Sequence, residues 1–379
     1  MSYPMQPLLP IITGHGLVTP LGTCACATWD ALLRGETIRT HARTSLPPCD
    51  RNERVTQLAV HVAREATSRA GWSATELSSD DSGVVVGTSK GPVETWMTPP
   101  PATSDKPPDV FGLAHVADGV ASALRLGYGP RLTLSAACAS GLHALIRGAM
   151  LIRSAQCRRV LVVASESSLH PLFVASFKRL GVLPPEGFGC KPFDVHRDGF
   201  LMSEAAAAVC LEAADPDARG DNVAVDRFAL GGDAIHLTGS DPDAAVLRHL
   251  LHEVVDGGPV DLVHAHGTGT ATNDPIELAA IEAEIGDDAA VDTGGGRPNV
   301  YSHKGALGHS LGAAGLVAVV VNVMCHRRGT VPPNASTTTP LPTKGVEISR
   351  VPVERRVRRS LATAAGFGGP TAVVSLFSR

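Results

Sequence analysis

Short apolar runs bounded by turn residues alternate along this chain with stretches whose apolar positions recur every three or four residues. The runs are LLPIIT (8–13), GVVVGT (83–88), RLTLSA (131–136), RRVLVVA (158–164), AAAVCLEA (206–213), VDLVHAH (260–266), NVYSH (299–303), SLATAA (360–365) and TAVVSLF (371–377). Near-continuous Val, Leu and Ala at this length predict strands covered on both faces. Helical spacing is predicted over 53–70, 112–126, 140–154, 243–255, 275–285 and 312–326. In the third of these, Leu142, Leu145, Ile146 and Ala149 recur at that spacing. Strand and helix thus alternate, which predicts a layered α/β fold. Segments 131–213 and 299–377 repeat one coarse order (strand, small-residue turn, helix, further strands), so a duplicated architecture is expected despite negligible identity. Two turn-rich stretches, 97–109 and 292–299, are expected to be exposed loops.

Composition narrows the function classes. The 379 residues are 44% hydrophobic and 18% charged, a globular balance with length for two ordinary domains or one large one. A net charge of -4 argues against nucleic acid as the main partner. No basic segment precedes the Pro-broken apolar start, so no secretory leader is expected. The late apolar run LVAVVVNVM (316–324) is shorter than the roughly 20 residues of a membrane span. The eight cysteines include no CxxC pair, which suits a reducing cytoplasm. Only six of the 33 basic residues are lysine, which draws notice to Lys304 in its Gly-rich setting.

Four segments gather small residues and reactive groups at predicted strand ends, where α/β sheets hold ligands. In SAACASG (135–141), Cys138 stands between a strand and a helix. The helix N-terminus there would lower the pKa of the thiol, and small neighbours would let a substrate reach it; a buried, inert cysteine is the equal alternative. In HAHGTGTATNDPIE (264–277), His266 ends a strand and His264 is expected to face the same side, with a core role for one of the two as an open reading. In SHKGALGHSLGAAG (302–315), Lys304 and His309 bracket a turn, and the cation would favour a neutral, hydrogen-bonding imidazole. In AAGFGGP (364–370), glycines would let a backbone N–H approach a substrate. Two readings compete. His264, His266, His303 and His309 could form a zinc set, and GHGLVT (14–19) could open a dinucleotide loop, although it lacks the third glycine.

Taken in order, ITGHGLVTPLG, GVVVGTS, SAACASG, KPFDVHRDGF (191–200), DAIHLTGSDPDA (233–244), HAHGTGTATNDPIE, SHKGALGHSLGAAG and GFGG resemble the β-ketoacyl-[acyl-carrier-protein] synthases. These are decarboxylating condensing enzymes, and the resemblance spans nearly the whole chain. It implies a thiolase-like fold of duplicated βαβαβαββ halves in five αβαβα layers. Residues 1–230 would be the N-terminal half carrying the cysteine, and 231–379 the C-terminal half carrying the His and Lys residues. By position, Cys138 would take the acyl chain as a thioester. His266 and His309 would hydrogen-bond the extender carbonyl, and Lys304 would set the electrostatics around His309. The N–H groups of Cys138 and Phe367 would form an oxyanion hole, with the Phe367 ring as a gate. Thr268 and Thr270 would bind the phosphopantetheine arm.

No metal and no resident cofactor is implied, because the pantetheine arrives on an acyl carrier protein. The implied partners are that carrier and a second ketosynthase chain, identical or related, in the cytoplasm, with no nucleic acid and no membrane. RRVRR (355–359) and His326–Arg328 are candidate basic landing sites for the carrier. Thiolases carry a second cysteine in the terminal Gly-rich loop, chain-initiating synthases pair their cysteine with one His and one Asn, and non-catalytic chain-length subunits lose the cysteine. The pattern here is that of an elongating synthase in fatty-acid or polyketide synthesis. Acyl transfer without decarboxylation, or service as a stabilising partner subunit, are the alternatives. Thr363, Ala364 and Ala365 stand where the family usually has Asn-Ser-Phe, and Pro370 and Thr371 replace its later Asn, departures expected to bear on substrate length.

Overall fold

Each predicted strand and helix is present, with ends shifted by a few residues. A computed structural model describes residues 8–47, 53–97, 112–214, 222–239, 241–255, 258–286 and 296–378. The first half of the chain forms β1 (Leu9–Val18), α1 (Ala25–Leu33), α2 (Arg54–Ala70), α3 (Ala74–Leu77), β2 (Ser82–Gly87) and α4 (Val93–Met97). It continues with α5 (Ala114–Leu124), β3 (Arg131–Leu134), α6 (Ser140–Arg153), β4 (Arg159–Glu166), α7 (Pro171–Arg179) and β5 (Ala205–Ala214). The second half forms β6 (Val223–Gly232), α8 (Ala245–Val255), β7 (Leu262–His264), α9 (Asn273–Ile281), β8 (Asn299–Tyr301) and α10 (Lys304–Leu307). It ends with α11 (Ala314–Arg328), β9 (Thr330–Val331), β10 (Val353–Glu354), β11 (Arg359–Ala365) and β12 (Pro370–Phe377). The unforeseen long strand, β6, escapes a search for continuous apolar runs because Asp226 and Arg227 interrupt it; Asp226 pairs with Arg359 at 2.9 Å. The predicted loop at 97–109 lies outside the described residues except for Met97; of 292–299, residues 296–299 are described, with Gly296 and Arg297 exposed as expected but Pro298 and Asn299 buried where β8 begins.

The duplication is a matter of topology. The main sheet has ten strands in the order β3-β2-β4-β5-β1-β6-β12-β11-β7-β8. Its halves meet where β1 and β6 pair over only Ile11–Ala224 and Ile12–Val223. Outward from that join, β1 runs antiparallel to β5, β5 antiparallel to β4, and β4, β2 and β3 parallel. The same sequence of directions relates β6, β12, β11, β7 and β8. The 230/231 boundary expected between the halves falls inside β6.

Side-chain alternation along the strands separates the layers. Val84 and Val86 of β2 pack with α2 and α5 on one face, while Val85 joins α6 and α11 on the other. In the second half, Val263 and Leu361 face α8 and α9, whereas Leu262 and Ala362 face the shared interior. The result is helix, sheet, helix pair, sheet, helix. The stretch Leu311–Arg328, around α11, is long and apolar enough to cross a membrane. It is instead the centre of the protein: Ala314–Cys325 is buried without a break, which accounts for its apolarity. The small residues after Cys138 serve this middle layer. A Cβ on Gly141 would lie 2.7 Å from the Leu316 nitrogen, so glycine there lets α6 and α11 touch.

Candidate active site

The pseudo-symmetry brings the turn before α6 and the turn before α11 to the same place. After β3, Ala137 adopts a left-handed conformation (φ 48°), costly for a residue with a Cβ, and Cys138 follows at the tip of the turn. Ser140 secures it: its Oγ accepts from the Ala136 N–H (2.9 Å) and donates to the Ala137 carbonyl (2.6 Å). The GFGG turn between β11 and β12 packs against this one. A Cβ on Gly366 would stand 2.9 Å from the Ala137 Cβ and 3.1 Å from the Cys138 nitrogen, so a side chain there would push the two turns apart. The Cys138 and Phe367 amides donate to no protein acceptor among the described residues.

His266 follows β7, and two buried acids that sequence reasoning passed over hold its loop. Glu277 of α9 accepts from the N–H groups of His266 and Gly267, both at 2.7 Å, and from the Thr363 hydroxyl at 2.7 Å. Asp274 accepts from the N–H groups of Phe193 (2.7 Å) and Gly269 (3.0 Å). The spacing of Asp274 and Glu277, on one face of a helix start beside a Gly-rich loop, was the available signal. Thr363, one of the departures from the family pattern, thus completes the bonding of the His266 amide. His309 stands two residues past α10 and donates its N–H to the Leu201 carbonyl (2.7 Å). Its ring meets His266 edge-on at 5.5 Å between centroids and Phe200 at 4.9 Å. Lys304 is buried behind them and donates from Nζ to the His266 carbonyl.

Cys138, His266, His309, Thr268, Thr270 and Phe367 line one pocket of about 90 Å³. These expected site residues are therefore brought together, while Lys304 does not line the pocket but lies buried behind the His266 loop. The Thr268 and Thr270 hydroxyls lie 2.9 Å apart. Phe177 closes the apolar side against Phe200 (5.7 Å) and Phe367 (6.2 Å).

Burial sets the charge states. It drives both pocket histidines well below their usual range, with the Lys304 cation adding to the effect, so both rings are neutral. Burial also pushes Lys304 down to about 8, against the pull of Glu277. The expected thiolate at a helix N-terminus is not found: burial pushes Cys138 up to about 11, and Lys90 and Lys304 offset only part of this. Cys138 precedes the first turn of α6 and lines the pocket with Phe177, Phe200 and Phe367, and desolvation there is the largest influence on its thiol. Because the thiolate is the reacting form, alkylation of Cys138 should keep rising with pH through 9 and level off only near 11. Iodoacetamide labelling followed at the Cys138 peptide checks this; a plateau at pH 9 would refute it.

Other expectations change. His264 does not share the pocket, because β7 ends at His264 and the alternation stops there; its ring turns inward to Asn322 and His303. Among the described residues no three metal-ligating side chains converge, so the zinc reading falls. GHGLVT lies almost wholly within β1 and forms no nucleotide loop. Within the basic runs Arg355 pairs with Asp261 (3.3 Å), Arg359 with Asp226, and Arg327 bonds the Ile12 carbonyl (3.1 Å), whereas Arg328, Arg356 and Arg358 are exposed. Glu204 is a buried acid bonded to Arg43 (2.7 Å) and Arg54 (3.0 Å).

Residues 43–216 match the family profile "Beta-ketoacyl synthase, N-terminal domain", and residues 226–338 match its C-terminal domain. The chain belongs to the β-ketoacyl synthase family. It is accordingly an acyltransferase of the condensing type, related to elongating synthases of fatty-acid and polyketide synthesis. A putative polyketide β-ketoacyl synthase 1 of Streptomyces cyaneus is 31% identical, across 96% of this chain and 97% of the relative. The 3-oxoacyl-[acyl-carrier-protein] synthase 2 of Coxiella burnetii is 28% identical, across 97% of each. Among solved structures, the ishigamide ketosynthase/chain length factor superposes with a TM-score of 0.85 at 25% identity, across 98% of this synthase and 100% of that chain. A type II polyketide ketosynthase solved with its acyl carrier protein and a bound hexaketide shares the fold (TM-score 0.87, 23% identity, 99% and 100% covered).

Proposed function

We propose that this synthase joins an acyl group held on Cys138 to a malonyl-type extender carried by an acyl carrier protein. The observation that carries the reading is one pocket holding a thiol, two neutral imidazoles and two unengaged amides, with a buried lysine behind it. The Cys138 sulfur attacks the acyl thioester, and the Cys138 and Phe367 N–H groups receive the oxyanion; the carrier thiol leaves with the proton. The extender then loses CO2, and its electron pair moves to the thioester oxygen as an enolate. Neutral His266 and His309 each present one ring N–H to that oxygen, which stabilises charge that exists only in the transition state and intermediate. The enolate carbon attacks the Cys138 thioester and expels the sulfur, giving a 3-oxoacyl carrier product. Thr268 and Thr270, on the open side, would bind the pantetheine arm.

A partner subunit without activity would have no use for this assembled set. Pairing with a second ketosynthase chain fits the half-buried β3, an edge strand with one side unpaired. The test is CO2 release and product formation from malonyl-carrier with and without an acyl primer. Primer-dependent condensation is expected. Acyl transfer to an alcohol or amine with no CO2 released would overturn the reading.

A further inference from the structure

Four imidazoles are buried at this end of the fold, and only His266 and His309 face the pocket. His264 and His303 are just as buried and have no part in the chemistry above. Their hydrogen bonds fix a single tautomer for each. Asn322 of α11 donates its Nδ2 to the Leu361 carbonyl (3.1 Å), which can only accept. Its Oδ1 therefore faces His264 Nδ1 at 2.9 Å, and His264 carries its proton on Nδ1. His264 Nε2 is then a lone pair, 2.8 Å from His303 Nδ1, so His303 supplies the bridging proton. The His303 backbone N–H points at the same nitrogen (3.4 Å). His303 Nε2 is left as a buried acceptor with no hydrogen-bond partner. Two nitrogens at bonding distance leave no room for an ion between the rings.

This link ties together the two segments that carry the chemistry. His264 closes β7 two residues before His266, and His303 precedes Lys304 at the start of α10. Parallel rungs reinforce it: Ala265 N–H to the Tyr301 carbonyl (2.9 Å), Ser302 Oγ to the Gly267 carbonyl (2.8 Å), and Lys304 Nζ to the His266 carbonyl. Among these rungs the ring-to-ring bond is the one made wholly by side chains, and Asn322 anchors it to the central helix.

We propose that His264 and His303 are positioning residues for condensation, holding the His266 loop against the Lys304 turn so that the neutral imidazoles meet the extender carbonyl. The proposal rests on the decarboxylating reading of the pocket. His303→Leu removes the ring-to-ring bond at similar volume, whereas His303→Gln keeps an amide donor for His264. The rates to compare are Cys138 acylation from acyl-carrier, and kcat and KM for malonyl-carrier. In His303→Leu, kcat for condensation should fall on the order of 10²-fold, with KM and acylation within about threefold of wild type and most of kcat restored in His303→Gln.

Equal losses in both variants, or acylation falling in step with condensation, would mean a merely structural role and overturn the proposal. An unchanged kcat in His303→Leu would overturn it too. If wild-type protein releases no CO2 from malonyl-carrier, the decarboxylating reading itself has failed, which this comparison separates from failure of the positioning role. Should His303→Leu not fold, the 15N spectrum of histidine-labelled wild type decides. A pyridine-type Nε2 on His303 is expected, and a protonated Nε2 would sink the idea.

Discussion

Cys138→Ala protein should take no acyl group from an acyl carrier, and its condensation rate should fall by at least ~10⁴-fold, the scale of losing a covalent nucleophile. Intact mass before and after incubation with acyl-carrier checks the first, and product assay the second. The loss should be chemical rather than structural. The side chain stands at the tip of a turn and faces the pocket, and the bonds securing that turn come from Ser140 and backbone groups. Thermal stability should therefore stay within about 1 kcal/mol of wild type. The same variant should still decarboxylate malonyl-carrier, because His266 and His309 remain in place. An acyl adduct surviving on Cys138→Ala protein would remove the basis of the assignment.

Glu277 makes the second large prediction. Its carboxylate receives the His266 and Gly267 N–H groups and the Thr363 hydroxyl, all buried. Glu277→Leu strands the Gly267 N–H and the Thr363 hydroxyl proton at about 1–3 kcal/mol each and leaves the His266 N–H only the Thr363 oxygen, a large share of the roughly 5–15 kcal/mol that holds a domain together. The thermal midpoint should drop sharply and activity should be lost. Glu277→Gln keeps one acceptor oxygen but turns an amide NH2 toward N–H donors, so an intermediate loss of stability is expected.

A charge effect separates this from simple unfolding. Among the groups that pull the Lys304 pKa up, Glu277 is the largest. In wild type, Lys304 loses its proton as pH rises through about 8, and condensation should decline over that range as the pocket loses its cation. In Glu277→Gln protein the cation is less favoured, so the decline should begin at lower pH. A pH–rate profile of the two proteins checks this; an alkaline limb that does not move would refute the coupling.

The pocket residues were legible because their chemistry needs special neighbours. A thiol among Ser, Ala and Gly, a lysine inside a Gly-rich turn and a terminal GFGG are uncommon combinations, and their order along the chain matches one family. The acids were not legible. Asp274 and Glu277 look like an ordinary helix start, and nothing local shows that their oxygens receive the backbone of a loop. That one of His264 and His266 is a core histidine was legible, but which one was not, because strand alternation puts both on one side and β7 ends at His264. The thiol pKa was misjudged for a related reason. A helix N-terminus can be inferred from sequence, but Phe177, Phe200 and Phe367, which line the pocket with the thiol, come from remote segments, and desolvation is the largest influence on it.

The sequence by itself determined the alternation of strands and helices, the duplication in outline and the identity of the reacting groups. These follow from local periodicity, turn chemistry and residue type. The tertiary structure decided which histidines face the pocket, which protonation states they hold, and why Gly141 and Gly366 are required. Each of those depends on close approach and loss of water between segments far apart in the chain, which no local pattern encodes.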